Sequence, residues 1–138
     1  TRGFSMKILA LKDIAGTDRE VHCPKGNFIS NRFLLEKDGM GYSLTKTIIK
    51  AGTNATWHYK HHLETCYCIS GKALLINNET KEYHSIEKDS CYILNNHDNH
   101  TFMAIEDTEL LCVFNPPLIG DETHREDGSY GSKGEKYV

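Results

Sequence analysis

Between Gly52 and Gly71 the chain reads GTNATWHYKHHLETCYCISG, and His58, His61, His62 and Glu64 fall within seven residues of it. Imidazole and carboxylate at this density form a ligand set for a divalent first-row metal ion. The glycines at either end mark expected turns. Such a run does not close a metal site alone. Further donors must come from elsewhere in the chain, carried by elements that fold back onto it.

Those elements read as short strands with period-two patterning, separated by turn residues. Lys7 to Leu11 is expected as a first strand, and Gly16 to Gly26 as an irregular stretch ended by Pro24 and Gly26. Phe28 to Leu35 is expected to run as a strand into the turn KDGMG. Tyr42 to Lys50 follows, with Ser43, Thr45 and Thr47 on one face and Tyr42, Leu44 and Lys46 on the other. From Leu63 to Ile69 the alternation puts Glu64, Cys66 and Cys68 on one face. Lys72 to Ile76 and Lys81 to Ile86 flank Asn77 to Thr80 as a hairpin. Cys91 to Leu94, His100 to Ile105 and Thr108 to Phe114 complete the series, which stops at Asn115-Pro116-Pro117. Roughly ten short strands at even spacing, with little helical periodicity, point to an all-β small barrel or sandwich.

No repeat, low-complexity run or linker divides the 138 residues, a length that fits one domain around one core. Thr1 to Ser5, ahead of Met6, read as an expression remnant; residues 6–119 form the expected barrel. The polar tail 120–138 offers a possible lid over 121–127, then expected disorder from Gly128 to Val138. A net charge of −3 and a pI near 6.2 give no attraction to phosphate backbones, so no nucleic acid partner is expected. Mean hydropathy is −0.51 and no apolar run approaches the roughly 18 residues of a membrane span, so no membrane partner is expected either. The start lacks the order of a signal peptide, and five cysteines are an odd number. Both suggest reduced thiols in a cytoplasm. Cys23, Cys66, Cys68 and Cys91 are expected to be small buried apolar groups. His22, His61 and His84 are expected at the solvated surface.

The central run resembles the first motif of the cupin superfamily, with Gly52, His58, Glu64 and Gly71 in place and Lys60 where the second cupin histidine would stand. In the second cupin motif His100 is in place, but Asn95 and His97 replace the usual Pro and Gly. The resemblance implies a cupin double-stranded β-helix with an incomplete metal set. Over about Leu11 to Tyr130, the stretches EVHCPKGNF, GMGYSLTKTIIKAGT, HYKHHLETCYCISG, NNHDNH and CVFNPPLIGDETHREDGSY resemble the ectoine synthase family. That resemblance implies Fe²⁺ held by Glu64, Tyr92 and His100. It also implies a substrate pocket lined by Phe28, Arg32, Thr45, Thr47, Cys112 and Phe114. Many family members carry Trp at the position of Phe28. A homodimer is implied, with the N-terminal strand and a sheet edge as the pairing elements. His58 is expected to support the ligands.

The implied reaction is closure of N-γ-acetyl-L-2,4-diaminobutyrate to ectoine with loss of water, in osmotic stress protection. The α-amino nitrogen attacks the acetamide carbonyl of the same molecule, so orientation alone can supply roughly 7–11 kcal/mol. An amide carbonyl is a poor electrophile, and a Lewis acid on its oxygen lowers the barrier. Arg32 is suited to a bidentate grip on the substrate carboxylate. Thr45 and Thr47 are suited to hydrogen bonds with the amide or amine, and Phe114 to an apolar wall. For the general base the candidates are His62, Tyr59, Glu122 and His124. Two other classes stay open at this point. One is another iron-dependent cupin enzyme such as a non-haem oxygenase; the other is a non-catalytic ligand-binding cupin.

Overall fold

Alternating burial along each strand decides the architecture: every second side chain needs a dry face, and two antiparallel sheets supply it to each other. The computed structural model describes residues 6–23, 27–120, 122–124 and 129–131. A short helix α1 (Leu11–Ile14) precedes β1 (Glu20–His22), β2 (Phe28–Leu34), β3 (Ser43–Ile49), β4 (Asn54–His58), β5 (Leu63–Ser70) and β6 (Lys72–Asn77). β7 (Tyr83–Glu87), β8 (Cys91–Leu94), β9 (Asn99–Ala104), β10 (Thr108–Asn115), β11 (Thr123–His124) and β12 (Tyr130–Gly131) follow. The larger sheet runs β1-β2-β3-β10-β5-β8 and the smaller β4-β9-β6-β7, with β11-β12 a separate ribbon. This is the double-stranded β-helix expected from the sequence. No helix among the described residues is long and apolar enough to cross a membrane.

The alternation holds strand by strand. On β5, Glu64, Cys66 and Cys68 are buried while Leu63, Thr65 and Tyr67 face outward. On β3, Ser43, Thr45 and Ile49 are buried and Leu44, Lys46 and Ile48 are partly covered. The core between the sheets is closed by Ile49, Cys66, Cys68, Ala73, Phe102 and Leu110, each 2% exposed or less.

Four local expectations need correction. Residues 7–10 form no strand among the described residues, and Leu11–Ile14 is helical. Asp13 accepts the Ala10 N–H at 2.8 Å and caps that turn, a local bond that competes with extended structure. The irregular stretch contains the short strand β1, and the run before His58 is strand β4, paired along its length with β9. Cys91 is exposed because its even-numbered neighbour Tyr92 takes the inner face, and Cys23 is only partly buried. Ser129 and Tyr130, expected in a disordered end, are buried. Pro24, Gly26, Asp121, residues 125–128 and residues 132–138 lie outside the described residues.

Gly71 joins β5 to β6 at φ +97°, in the region open mainly to glycine. A Cβ there would meet the Asp107 carbonyl and lie 2.6 Å from Thr108 Cα. Backbone cannot retreat as a flexible side chain can. Gly71→Ala is therefore expected to cost more than about 2 kcal/mol, read as a lower denaturation midpoint at unchanged slope. At Gly52, also at positive φ, nothing lies within 4 Å of an added Cβ. Its substitution is expected to cost less.

Candidate active site

Strand register gathers the site. Arg32 on β2 sits opposite Thr45 on β3, Thr45 opposite Cys112 on β10, Cys112 opposite Cys66 on β5, and Cys66 opposite Tyr92 on β8. These five residues form one row across five strands, and all are buried. The adjacent row runs Ser43, Phe114, Glu64, Leu94. Residues scattered over about eighty positions thus share one inner face because each strand keeps its pairing.

A cavity of about 20 Å³ opens against this face, enough for one water or one ion. Phe28, Thr45, Thr47, Glu64, Tyr92, Cys112 and Phe114, all singled out in the sequence, line it, as does Tyr59. Ser30, Trp57 and Tyr130 line it as well and were not foreseen. Tyr130 stacks on Tyr59 with ring centroids 4.8 Å apart, and Phe114 meets both rings edge-on at 5.4 and 5.6 Å. This aromatic group closes one side of the cavity. The Thr45 hydroxyl is buried without a hydrogen-bond partner among the described residues, so a polar ligand atom would satisfy it.

Burial sets the electrostatics. Desolvation pushes the Glu64 carboxyl up to about 7, against the hydrogen bonds from the Cys66 and Cys112 thiols that pull it back. The Tyr59 and Tyr92 phenols are pushed well above their usual range, first by burial and then by neighbouring acidic groups. Both therefore stay protonated through neutral pH unless a cation takes the proton's place. Burial also lowers His100, leaving its imidazole neutral.

The donors present fit a divalent ion. His100 donates its Nδ1 hydrogen to the Asp98 carbonyl at 2.9 Å, which leaves a bare lone pair on Nε2. That Nε2 is buried with no hydrogen-bond partner among the described residues. A backbone carbonyl holding one ring nitrogen so that the other can bind is the arrangement metal-ligating histidines use. His100 lies on β9 in the opposite sheet, its ring 6.0 Å from that of Tyr59 and 6.1 Å from that of Trp57. Tyr92 lies between the two sides, since it also borders a second cavity that reaches His100. A different set also converges: one donor atom each from Glu64, Cys66 and Cys112 lies within 4.8 Å of the others.

Several expected residues stand outside the cavity wall. Arg32, 2% exposed, donates to the carbonyls of Gly120 and Glu122 at 3.1 Å each and pairs with the Glu122 carboxylate at 3.8 Å. Its fork ties down the chain after β10, and its Nε is buried without a hydrogen-bond partner among the described residues. Glu122 accepts from the Ile119 and Gly120 amides at 2.6 and 2.8 Å, so its carboxylate closes a turn. His62 is buried edge-on against Phe114 and Tyr130, behind the lining. His61 is partly covered rather than solvated, whereas His22 and His84 are exposed. The His124 side chain is outside the described residues.

His97 was read only as a replaced glycine. It adopts φ +51°, the left-handed conformation that makes glycine usual at such a turn. Its Nδ1 hydrogen is shared between the carbonyls of Tyr59 at 2.9 Å and His62 at 3.0 Å. The turn before β9 thereby holds the loop that carries Tyr59. Nothing in local sequence signals this, because the partners are 35 and 38 residues away.

Comparison with known proteins adds three findings. Residues 6–134 match the family model described as ectoine synthase. The chain is 47% identical over 126 residues to an L-ectoine synthase from Desulfosudis oleivorans, covering 91% of this chain and 96% of that one. It is 46% identical to an L-ectoine synthase from Halalkalibacterium halodurans, covering 91% and 95%. The crystal structure of an ectoine synthase from P. lautus superimposes with a TM-score of 0.78 at 38% identity, over 83% of this chain and 81% of that chain. An ethanolamine utilization protein from Salmonella typhimurium shares the fold alone, with a TM-score of 0.58 at 12% identity over 65% and 70% of the two chains.

Proposed function

The chain belongs to the ectoine synthase family and is an enzyme of that activity, a carbon–oxygen lyase; on that premise we propose that the cavity between Glu64, Thr45 and Tyr59 is where N-γ-acetyl-L-2,4-diaminobutyrate closes to ectoine. The register row that brings Thr45, Cys112 and Tyr92 beside Glu64 carries this reading. Glu64, Tyr92 and His100 would hold Fe²⁺, a mixed oxygen and nitrogen set suited to a hard ion with open positions. Bound there, the ion supplies Lewis acidity toward the amide oxygen.

The protein's own groups do the rest. The unsatisfied Thr45 hydroxyl orients the α-amino nitrogen or the amide, and Phe28, Trp57 and Phe114 exclude water and fold the substrate upon itself. The nitrogen forms a bond to the acetamide carbon, and the former carbonyl oxygen departs as water, leaving the cyclic amidine. Tyr59, whose proton burial keeps in place, donates a hydrogen bond to that departing oxygen. Among Tyr59, His62 and Glu122, only Tyr59 lines the cavity. The Arg32 fork donates to the Gly120 and Glu122 carbonyls, and it meets the substrate carboxylate only by giving up those bonds. Tyr130, stacked on Tyr59, narrows the cavity that the substrate would enter. Incubating the iron-loaded protein with the substrate should yield ectoine by chromatography; absence of product with iron occupancy confirmed would overturn the reading.

The product's role is osmotic protection and the setting a reducing cytoplasm, consistent with thiols as close as Cys66 and Cys112, at 3.3 Å, staying free. The working unit is a homodimer. Met6 and Ile8 are 89% and 86% exposed, an apolar segment that a second copy would cover. Ile8→Glu is expected to shift the protein from dimer to monomer in sedimentation velocity. A variant still dimeric at micromolar concentration places the interface elsewhere.

A further inference from the structure

The mechanism uses Glu64 with Tyr92 and His100, yet Glu64 also belongs to a donor cluster with Cys66 and Cys112, their ligand atoms within 4.8 Å of one another. We propose that Glu64, Cys66 and Cys112 form a site for a soft, thiophilic divalent ion such as Cd²⁺, and that its occupation excludes a hard ion from Glu64. The cluster is fixed by the fold. Cys66 and Cys112 are register partners on β5 and β10, and the Cys66 thiol donates to the Cys112 sulfur at 3.3 Å. All three side chains are buried, and Glu64 and Cys112 line a cavity that has room for one ion.

Geometry and hardness agree. At a tetrahedral zinc ion, with metal–sulfur bonds of about 2.3 Å, two sulfurs sit about 3.8 Å apart, so the thiols need to part by about half an ångström, and by somewhat more for the larger Cd²⁺. Two thiolates select soft ions, which the carboxylate, phenolate and imidazole set does not. The fourth position opens into the cavity. Binding forms two metal–sulfur bonds and one metal–oxygen bond, and releases the two thiol protons to solvent. Neither Tyr92 nor His100 is needed, so the soft site stands by itself. Only the exclusion rests on the reading of Glu64, Tyr92 and His100 as the hard-ion ligands.

Cadmium chloride titrated into the full, metal-free chain, kept reduced by a phosphine, tests this directly. The expected result is a thiolate-to-cadmium charge-transfer band in the ultraviolet that saturates at one ion per chain. Cys66→Val and Cys112→Val should each weaken cadmium binding by more than about 100-fold, beyond the loss from an outer partner. Cys66→Ser, close in size to the native side chain, guards against a folding defect in the valine variant. His100→Ala should keep the band. A band that survives Cys66→Val but vanishes on Cys91→Ser belongs to the exposed thiol and overturns the proposal, as does cadmium binding without any band. In the iron-loaded protein, cadmium should release iron to a ferrous chelator. If His100→Ala still binds iron, the hard-ion reading fails while the soft site stands.

Discussion

Glu64→Gln is expected to lower turnover by more than about 10³-fold, through loss of metal-assisted charge stabilisation, while making the metal-free protein more stable at pH 8. The two effects have one cause. Glu64 is held at about 7 in the folded chain against an ordinary 4.5, because burial disfavours its charge. Between those values the folded state binds the extra proton, so stability falls as pH rises from 4.5 to 7 and is level above. The difference amounts to about 3 kcal/mol at pH 8 in the absence of a cation. Glutamine has the same shape and no charge, and removes that penalty. Urea denaturation of both metal-free proteins at pH 5.5 and 8 measures it. Wild type should lose stability between the two pH values and the variant should not. Iron should restore the wild type at pH 8 and leave the variant unchanged. Parallel pH curves for the two proteins would show that Glu64 is not the group that titrates.

Tyr59→Phe should lower kcat by roughly 10²–10⁴-fold with iron content unaltered, the range for loss of a positioned proton donor. Tyr59 lines the cavity, stacks on Tyr130 and has its phenol raised well above the usual value by burial. The raised phenol sets the sign of the pH dependence: the donor stays protonated as pH rises, so this group causes no loss of rate on the alkaline side up to pH 9. Phenylalanine keeps the ring stack and removes only the hydroxyl. Iron analysis beside single-turnover rates separates a lost donor from a lost ligand. A fall in iron content would move Tyr59 into the metal site.

Much of the strand pattern was legible because side-chain alternation is local. The buried Glu64, Cys66 and Cys68 and their exposed neighbours follow from period two alone. Short elements escaped it. α1 depends on a bond from Asp13 to Ala10, and β4 is hidden within a run whose histidines invite a chemical reading. Seven of the residues singled out for substrate or metal line one cavity, while Arg32 is spent on the chain after β10. Its charge and likeness to relatives are visible in sequence; the direction of its guanidinium is not. Tyr130 sits in a polar, glycine-rich end that looks unstructured, and only its stack on Tyr59 shows otherwise.

The all-β class, the strand faces and the residue types able to hold a cation are legible in the chain without its fold, since these depend on neighbours two positions away. The family, too, was written in motifs. Tertiary structure alone decided the row from Arg32 through Thr45, Cys112 and Cys66 to Tyr92, because register across five strands is a nonlocal property. It alone left the Thr45 hydroxyl and His100 Nε2 without partners among the described residues. And it alone set Glu64 between two donor sets, one hard and one soft, through pairings that link residues nearly fifty positions apart.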